Sequence, residues 1–191
     1  MGRQYYYTLN SLPHLFFNKP LPINKEVFFA ICRTELDTKD FEILQSVSLF
    51  QTESDQSSLT VLKEWHKWER GIRNELVRLR AENLGIDAGL YLRDDDYDLS
   101  CSSVAAEVFN VESPSAAEEM LDGARWRFLE ELETGRYFDK ERLVIYYLKL
   151  QLLERRSIFN TEKGHEKLKA VINQVEEIWT QKVKAGSLYE E

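Results

Sequence analysis

The densest set of potential metal ligands in this sequence is the acidic run Asp94, Asp95, Asp96 and Asp98. Read as a calcium loop starting at Asp94, it places acids at positions one, three and five. Such a loop also needs glycine at position six and a bidentate glutamate at position twelve, where Leu99 and Ala105 stand. The run therefore reads as a solvated loop or a contact for a basic partner. Of the histidines, His165-Glu166 lacks the second histidine of a zinc-protease helix. His14 and His66 have no cysteine at ligand spacing, and His66, between Trp65 and Lys67, is predicted to be a partly exposed helix residue. The glutamate pairs 118/119, 130/131 and 176/177 could be searched for acid–base work. Adjacent residues on a helix point in different directions, so solvated helix surface is the better reading. There is no glycine-rich phosphate loop and no GxSxG elbow. No catalytic residue, metal or cofactor is expected, and the chain is read as non-enzymatic.

The stretch able to position a binding face is Trp65–Gly85. Leu62, Trp65, Ile72, Leu76 and Leu79 recur at three- and four-residue steps and mark one face of a long helix. Ser57 or Ser58 is expected to cap its start, and Gly85 to supply the left-handed residue that ends it. Residues 63–80 hold six lysines and arginines against three glutamates in a protein of net charge −8. Arg73 and Arg80 lie two turns apart and project the same way. With Asn74, Trp65 and Trp68 they make the candidate partner-binding face, arginine suiting a bidentate grip on carboxylates or carbonyls.

The remaining elements follow from caps and periodicity. Residues 4–23 hold three of the four prolines and read as an extended or one-turn-helical arm whose aromatics bury area on the core. Asn24 caps a helix to about Glu35 with Val27, Phe28, Ile31 and Cys32 inward. Thr38 caps another to about Val47, with Phe41 and Leu44 inward. Residues 50–58 are polar and aperiodic, an exposed loop. An irregular crossover follows Gly85, then a short helix over 103–110. Ser113-Pro114 starts a helix to Gly135 that buries Met120, Leu121, Ala124, Phe128 and Leu132, with Gly123 allowing close packing or a bend. Asp139 caps a helix to about Phe159 that is apolar nearly all round and hence central. Thr161 begins a last helix with a Leu168–Trp179 stripe, packed on the outside or offered to another chain.

Composition agrees with this. With 43% hydrophobic residues, 12% aromatics, eight glycines and four prolines, the chain is predicted to be folded, with long elements and few turns. We expect an all-α single domain over 1–191, an irregular multi-helix bundle around a long central helix, with 1–92 and 93–191 as possible lobes. The acidic balance argues against nucleic acid. No apolar run is long enough to span a bilayer. Residues 1–17 lack a tripartite signal pattern, and Tyr6 stands where a myristoylation signal wants serine or threonine. Cys32 and Cys101 read as free thiols of a cytoplasmic protein.

The segment Asn74-Glu-Leu-Val-Arg-Leu-Arg80-Ala-Glu-Asn-Leu-Gly85 resembles the helix of the C/d subunit of A- and V-type ATPases, in which Asn and Arg sit six apart. The opening QYYYTLNSLPHLFF is similar to that of a bacterial family of unassigned function encoded among V-type ATPase subunits. That family begins with a tyrosine-rich run followed by Ser-Leu-Pro, as Tyr5–Tyr7 and Ser11-Leu12-Pro13 do here. Tyr146–Arg155 looks familiar from its second half. The chain is much shorter than a full C/d subunit, which has three similar helical lobes. The resemblance implies a non-catalytic, all-helical subunit or accessory protein of a bacterial V-type ATPase, docking on central-stalk or membrane-ring subunits and peripheral to the inner membrane. The alternative is a free helical adaptor that uses the Leu168–Trp179 stripe.

Overall fold

The computed structural model describes residues 5–50, 59–93 and 99–158, and every regular element among them is helical. In chain order these are α1 (Tyr6–Ser11), α2 (Lys25–Glu35), α3 (Thr38–Ser46), α4 (Thr60–Leu84), a one-turn 3-10 helix (Ala88–Leu90), α5 (Leu99–Phe109), α6 (Pro114–Glu133) and α7 (Lys140–Ile158). The chain divides into two compact units, Met1–Glu154 and Arg155–Glu191, and the helical core lies in the first. The possible lobe boundary at 92/93 does not part that unit, because α5 packs directly on α4. Ser57, Ser58, the acidic run 94–98 and the helix expected from Thr161, with its Leu168–Trp179 stripe, lie outside the described residues.

Side-chain caps decide most helix starts. Asn24 Oδ1 accepts the Val27 N–H at 3.0 Å, and Asp139 Oδ1 accepts the Arg142 N–H at 2.8 Å. Ser113 caps α6 with Pro114 at its first position. The cap of α3 is Asp37, which accepts the Asp40 N–H at 2.9 Å, and Thr38 is the first helical residue. The carboxylate also favours the positive end of the helix dipole, which a threonine does not. Leu59 is the N-cap position of α4 and makes no side-chain cap bond. The helix ends at Gly85, whose φ is +67°. There the Ile86 N–H reaches the Ala81 carbonyl at 3.0 Å and the Gly85 N–H the Glu82 carbonyl at 3.2 Å, a Schellman closure.

The predicted α4 stripe is core: Leu62, Trp65, Ile72 and Leu76 are buried and Leu79 packs against them. Burial continues round the helix through Val61, His66, Trp68, Glu69, Gly71, Asn74, Glu75 and Ala81, so α4 is central rather than one-sided. Trp68 stacks nearly parallel on Phe128 of α6, centroids 4.6 Å apart. α5 starts at Leu99, four residues before its expected start, and its Cys101 is buried against Gly71. A Cβ on Gly71 would lie 2.8 Å from Cys101 Sγ, so the absent side chain sets the α4–α5 approach. Gly123 is no such close contact: a Cβ there would meet the Phe17 ring at 3.8 Å, ordinary packing distance. Val27 and Met120, expected inside, are exposed.

α7 is buried along nearly its whole length, as its all-round apolar pattern predicts. Phe28 of α2 stacks on Tyr147, rings parallel within 6° and 5.2 Å apart. Burial pushes the Cys32 thiol up to about 12 and raises the Tyr146 and Tyr147 phenols above their ordinary range. The non-helical backbone of Val47–Leu49 is satisfied by side chains of α4 and α7. Trp65 Nε1 donates to the Leu49 carbonyl at 2.8 Å. His66 Nε2 lies 3.2 Å from the Ser48 carbonyl. Gln151 accepts the Leu49 N–H at 3.0 Å and donates to the Val47 carbonyl at 3.1 Å. His66 is therefore a buried anchor and not the partly exposed residue expected, since a buried extended segment needs donors for its carbonyls.

The N-terminal arm is helical over α1 and then non-helical from Leu12 to Phe16. Tyr5 fixes its start: its N–H donates to the Phe138 carbonyl at 2.6 Å and its hydroxyl to Asp40. The Tyr146 hydroxyl donates to the Pro13 carbonyl at 2.8 Å. Tyr5, Thr8 and Leu12 are buried, but Tyr6, Tyr7 and Phe16 are exposed. The arm is held by hydrogen bonds and a few apolar side chains rather than by burial of all its aromatics.

Candidate functional site

The five residues expected to form one partner-binding face divide between core and surface. Trp65 is fully enclosed and Trp68 buried. Their indoles belong to the aromatic stack and are not free for a partner. Asn74 is buried as well. Its Nδ2 donates to the Arg93 carbonyl at 2.6 Å and its Oδ1 accepts the Arg93 N–H at 3.1 Å. A side-chain amide thus pairs with a backbone peptide as a neighbouring strand would, and the segment leaving α4 is tied back to it. Arg73 is half-exposed, 3.2 Å from Glu69, with its guanidinium 4.9 Å from the Phe50 ring centroid. Arg80 is exposed near the end of α4.

Gly85 turns the chain, and the Asn74–Arg93 pair fixes where it returns. Between them the chain presents apolar side chains to solvent: Leu84 is 70% exposed, Leu90 81%, Tyr91 60% and Ile86 49%. Asp87 stiffens the turn by accepting the Gly89 N–H at 2.9 Å. Four large apolar side chains are thus exposed on one short, doubly anchored turn that follows Arg80 in the chain. Exposed apolar side chains that gather into one contiguous patch mark interaction sites.

A second feature escaped sequence reasoning. Arg125 of α6, buried, grips Glu69 of α4 in a fork: Nε to Oε2 at 3.1 Å and Nη2 to Oε1 at 2.9 Å. Its Nη1 donates to Asp122 at 2.8 Å. Burial acts against the cation, but the hydrogen bonds and charges of Glu69 and then Asp122 outweigh it, and the Arg125 pKa is raised. The guanidinium sits 5.5 Å from the Phe50 ring centroid, so Phe50 contacts both Arg73 and Arg125. This junction clamps α4 to α6. Its only trace in the sequence was a buried-side arginine, three residues after an aspartate, inside an otherwise apolar face.

Among the described residues, no group of three His, Cys, Asp or Glu side chains could hold a metal ion. No helix there is long and apolar enough to cross a membrane. A family model described as "Protein of unknown function (DUF2764)" matches residues 94–178, a span that includes α5 and α6 and the described part of α7. No curated protein and no solved structure matches the chain.

Proposed function

We propose that this protein is a non-catalytic structural or accessory subunit of a bacterial V-type ATPase, docking on a central-stalk or membrane-ring subunit through the end of α4. The observation that carries the reading is the rigid apolar turn Leu84–Tyr91, exposed beside Arg80 and anchored by Gly85 and the Asn74–Arg93 pair. The same stretch, Asn74 to Gly85, bears the resemblance to the C/d-subunit helix. In that light Asn74 positions the docking turn from inside, and Arg80 with the apolar residues makes contact. A preformed turn costs little ordering on binding, which favours affinity for a given area. The buried charges fit a scaffold, because Arg125 pairs with Glu69 and Asp122 and so joins two helices.

The test is a tagged chain purified under mild detergent from a cell that expresses the ATPase. The parent chain should bring down stalk or ring subunits. Leu84→Ser with Leu90→Ser should keep its helix content and melting temperature and lose those subunits. If the parent brings down none, the assignment is wrong; if the double variant still brings them down, the site is elsewhere.

A further inference from the structure

The arm over residues 5–17 is fastened to the helices at a few points and spans a cleft between them. At its start the Tyr5 N–H donates to the Phe138 carbonyl at 2.6 Å and the Tyr5 hydroxyl to Asp40. The Tyr6 ring lies 4.4 Å from that of Phe138. Toward its far end the Pro13 carbonyl accepts the Tyr146 hydroxyl at 2.8 Å, and Phe17 meets Trp126 with ring centroids 5.7 Å apart. A cleft of about 510 Å3 lies between the arm on one side and α6, the α6–α7 turn and α7 on the other.

The charges of the cleft are balanced without the arm. Glu133 pairs with Arg142 at 2.7 Å and with Lys149 at 2.9 Å, and Arg136 pairs with Glu141 at 2.8 Å and Glu64 at 3.2 Å. All of these residues belong to α4, α6, α7 or the α6–α7 turn. Residues 5–17 contain no Asp, Glu, Lys or Arg. Lifting the arm therefore strands no buried charge, whereas parting α6 from α4 would break the Arg125–Glu69 fork. What the arm gives up is the burial of Tyr5, Thr8 and Leu12 and three hydrogen bonds whose groups water can satisfy. Just beyond it, Asn18, Lys19 and Pro20 are exposed and supply a hinge. Regions with few buried apolar contacts open at a fraction of the global unfolding free energy. We propose that residues 5–17 form a strap that opens from α6 and α7 as one unit while the helices stay folded, turning the covered cleft into an open α6–α7 groove. This device is separate from the α4 turn and stands or falls independently of the ATPase reading.

Amide hydrogen exchange of the full chain, followed residue by residue by NMR, tests it. The Tyr5 N–H is bonded to the Phe138 carbonyl and the Leu9 N–H to the Tyr5 carbonyl. The two should share one protection factor, at least about a hundredfold below those of α7. Tyr146→Phe keeps the ring and removes the tie to Pro13. It should lower protection at Tyr5 and Leu9 by the same factor, about two- to tenfold, and leave α4 and α7 unchanged. Simple fraying from the chain end would leave the Tyr5 amide indifferent to a tie lost at Pro13. Equal protection of the arm and α7, a Tyr5 amide unmoved by Tyr146→Phe, or protection lost from α7 together with the arm would overturn the proposal.

Discussion

Replacing Arg125 with methionine should be among the most damaging single changes available in this protein. The guanidinium makes three hydrogen bonds to two carboxylates, at 2.8, 2.9 and 3.1 Å. Glu69 and Asp122 are each only 3% exposed. Methionine fills much of the same volume, so the loss is of charge compensation rather than of packing. Removing Arg125 leaves the buried Glu69 with only the half-exposed Arg73, 3.2 Å away, and breaking a buried pair in this way costs up to about 3–5 kcal/mol. For a chain of this size that lowers the melting temperature by about 6–20 °C. By contrast, Arg136→Met breaks pairs whose carboxylates are more exposed, and should cost no more than about 1 kcal/mol. Urea unfolding monitored by circular dichroism measures both. The triple variant with Glu69→Leu and Asp122→Leu removes the stranded charges and should recover most of the loss. A loss below about 1 kcal/mol for Arg125→Met, or a triple variant no better than the single one, would refute the argument that these charges are mutually dependent.

Asn74→Ala should cost about 1–3 kcal/mol, because the Arg93 peptide loses both partners, and hydrogen exchange at the Arg93 amide should accelerate. Unchanged exchange would show that the turn is held by something else. Gly71→Ala should destabilise by about 1–3 kcal/mol through overpacking against Cys101, and Cys101→Ala introduced with it should relieve part of that loss. A strictly additive pair would contradict the close approach. Cys32, with its thiol pushed up to about 12 by burial, should resist alkylation at neutral pH until the chain unfolds; rapid labelling of the native state would show that α2 opens. The Tyr146 and Tyr147 phenols are raised in the folded state, by burial first. Their contribution to stability is therefore complete below the unfolded tyrosine pKa of about 10 and is lost as pH rises through the folded values. Alkaline titration should show tyrosinate absorbance for these two appearing together with unfolding; earlier, reversible ionisation would contradict their burial.

Where one local signal was strong, the sequence revealed the structure. Asn24, Ser113-Pro114 and Asp139 each place a helix start, and Gly85 places a helix end, because caps and left-handed residues act over four residues of chain. The all-round apolar pattern of α7 announced a buried helix for the same local reason. What was not legible depends on partners distant in the chain. Nothing near His66 shows that Val47–Leu49 will lie across it and need its donor. Nothing near Arg125 names Glu69, which is 56 residues away. Trp65 and Trp68 were expected on the partner-binding face, yet their rings meet Phe128 from α6. Asn74 drew attention through its spacing to Arg80. Its inward bond to Arg93 could be found only once the chain beyond Gly85 was seen to fold back.

The proposed V-type ATPase role depends most on the exposed turn at the end of α4. Quantitative mass spectrometry of complexes recovered with the parent chain and with Leu84→Ser/Leu90→Ser tests this most directly. Stalk or ring subunits should be enriched with the parent and lost with the folded double variant. ATPase subunits absent from the parent's complexes, or present equally with both, would contradict it.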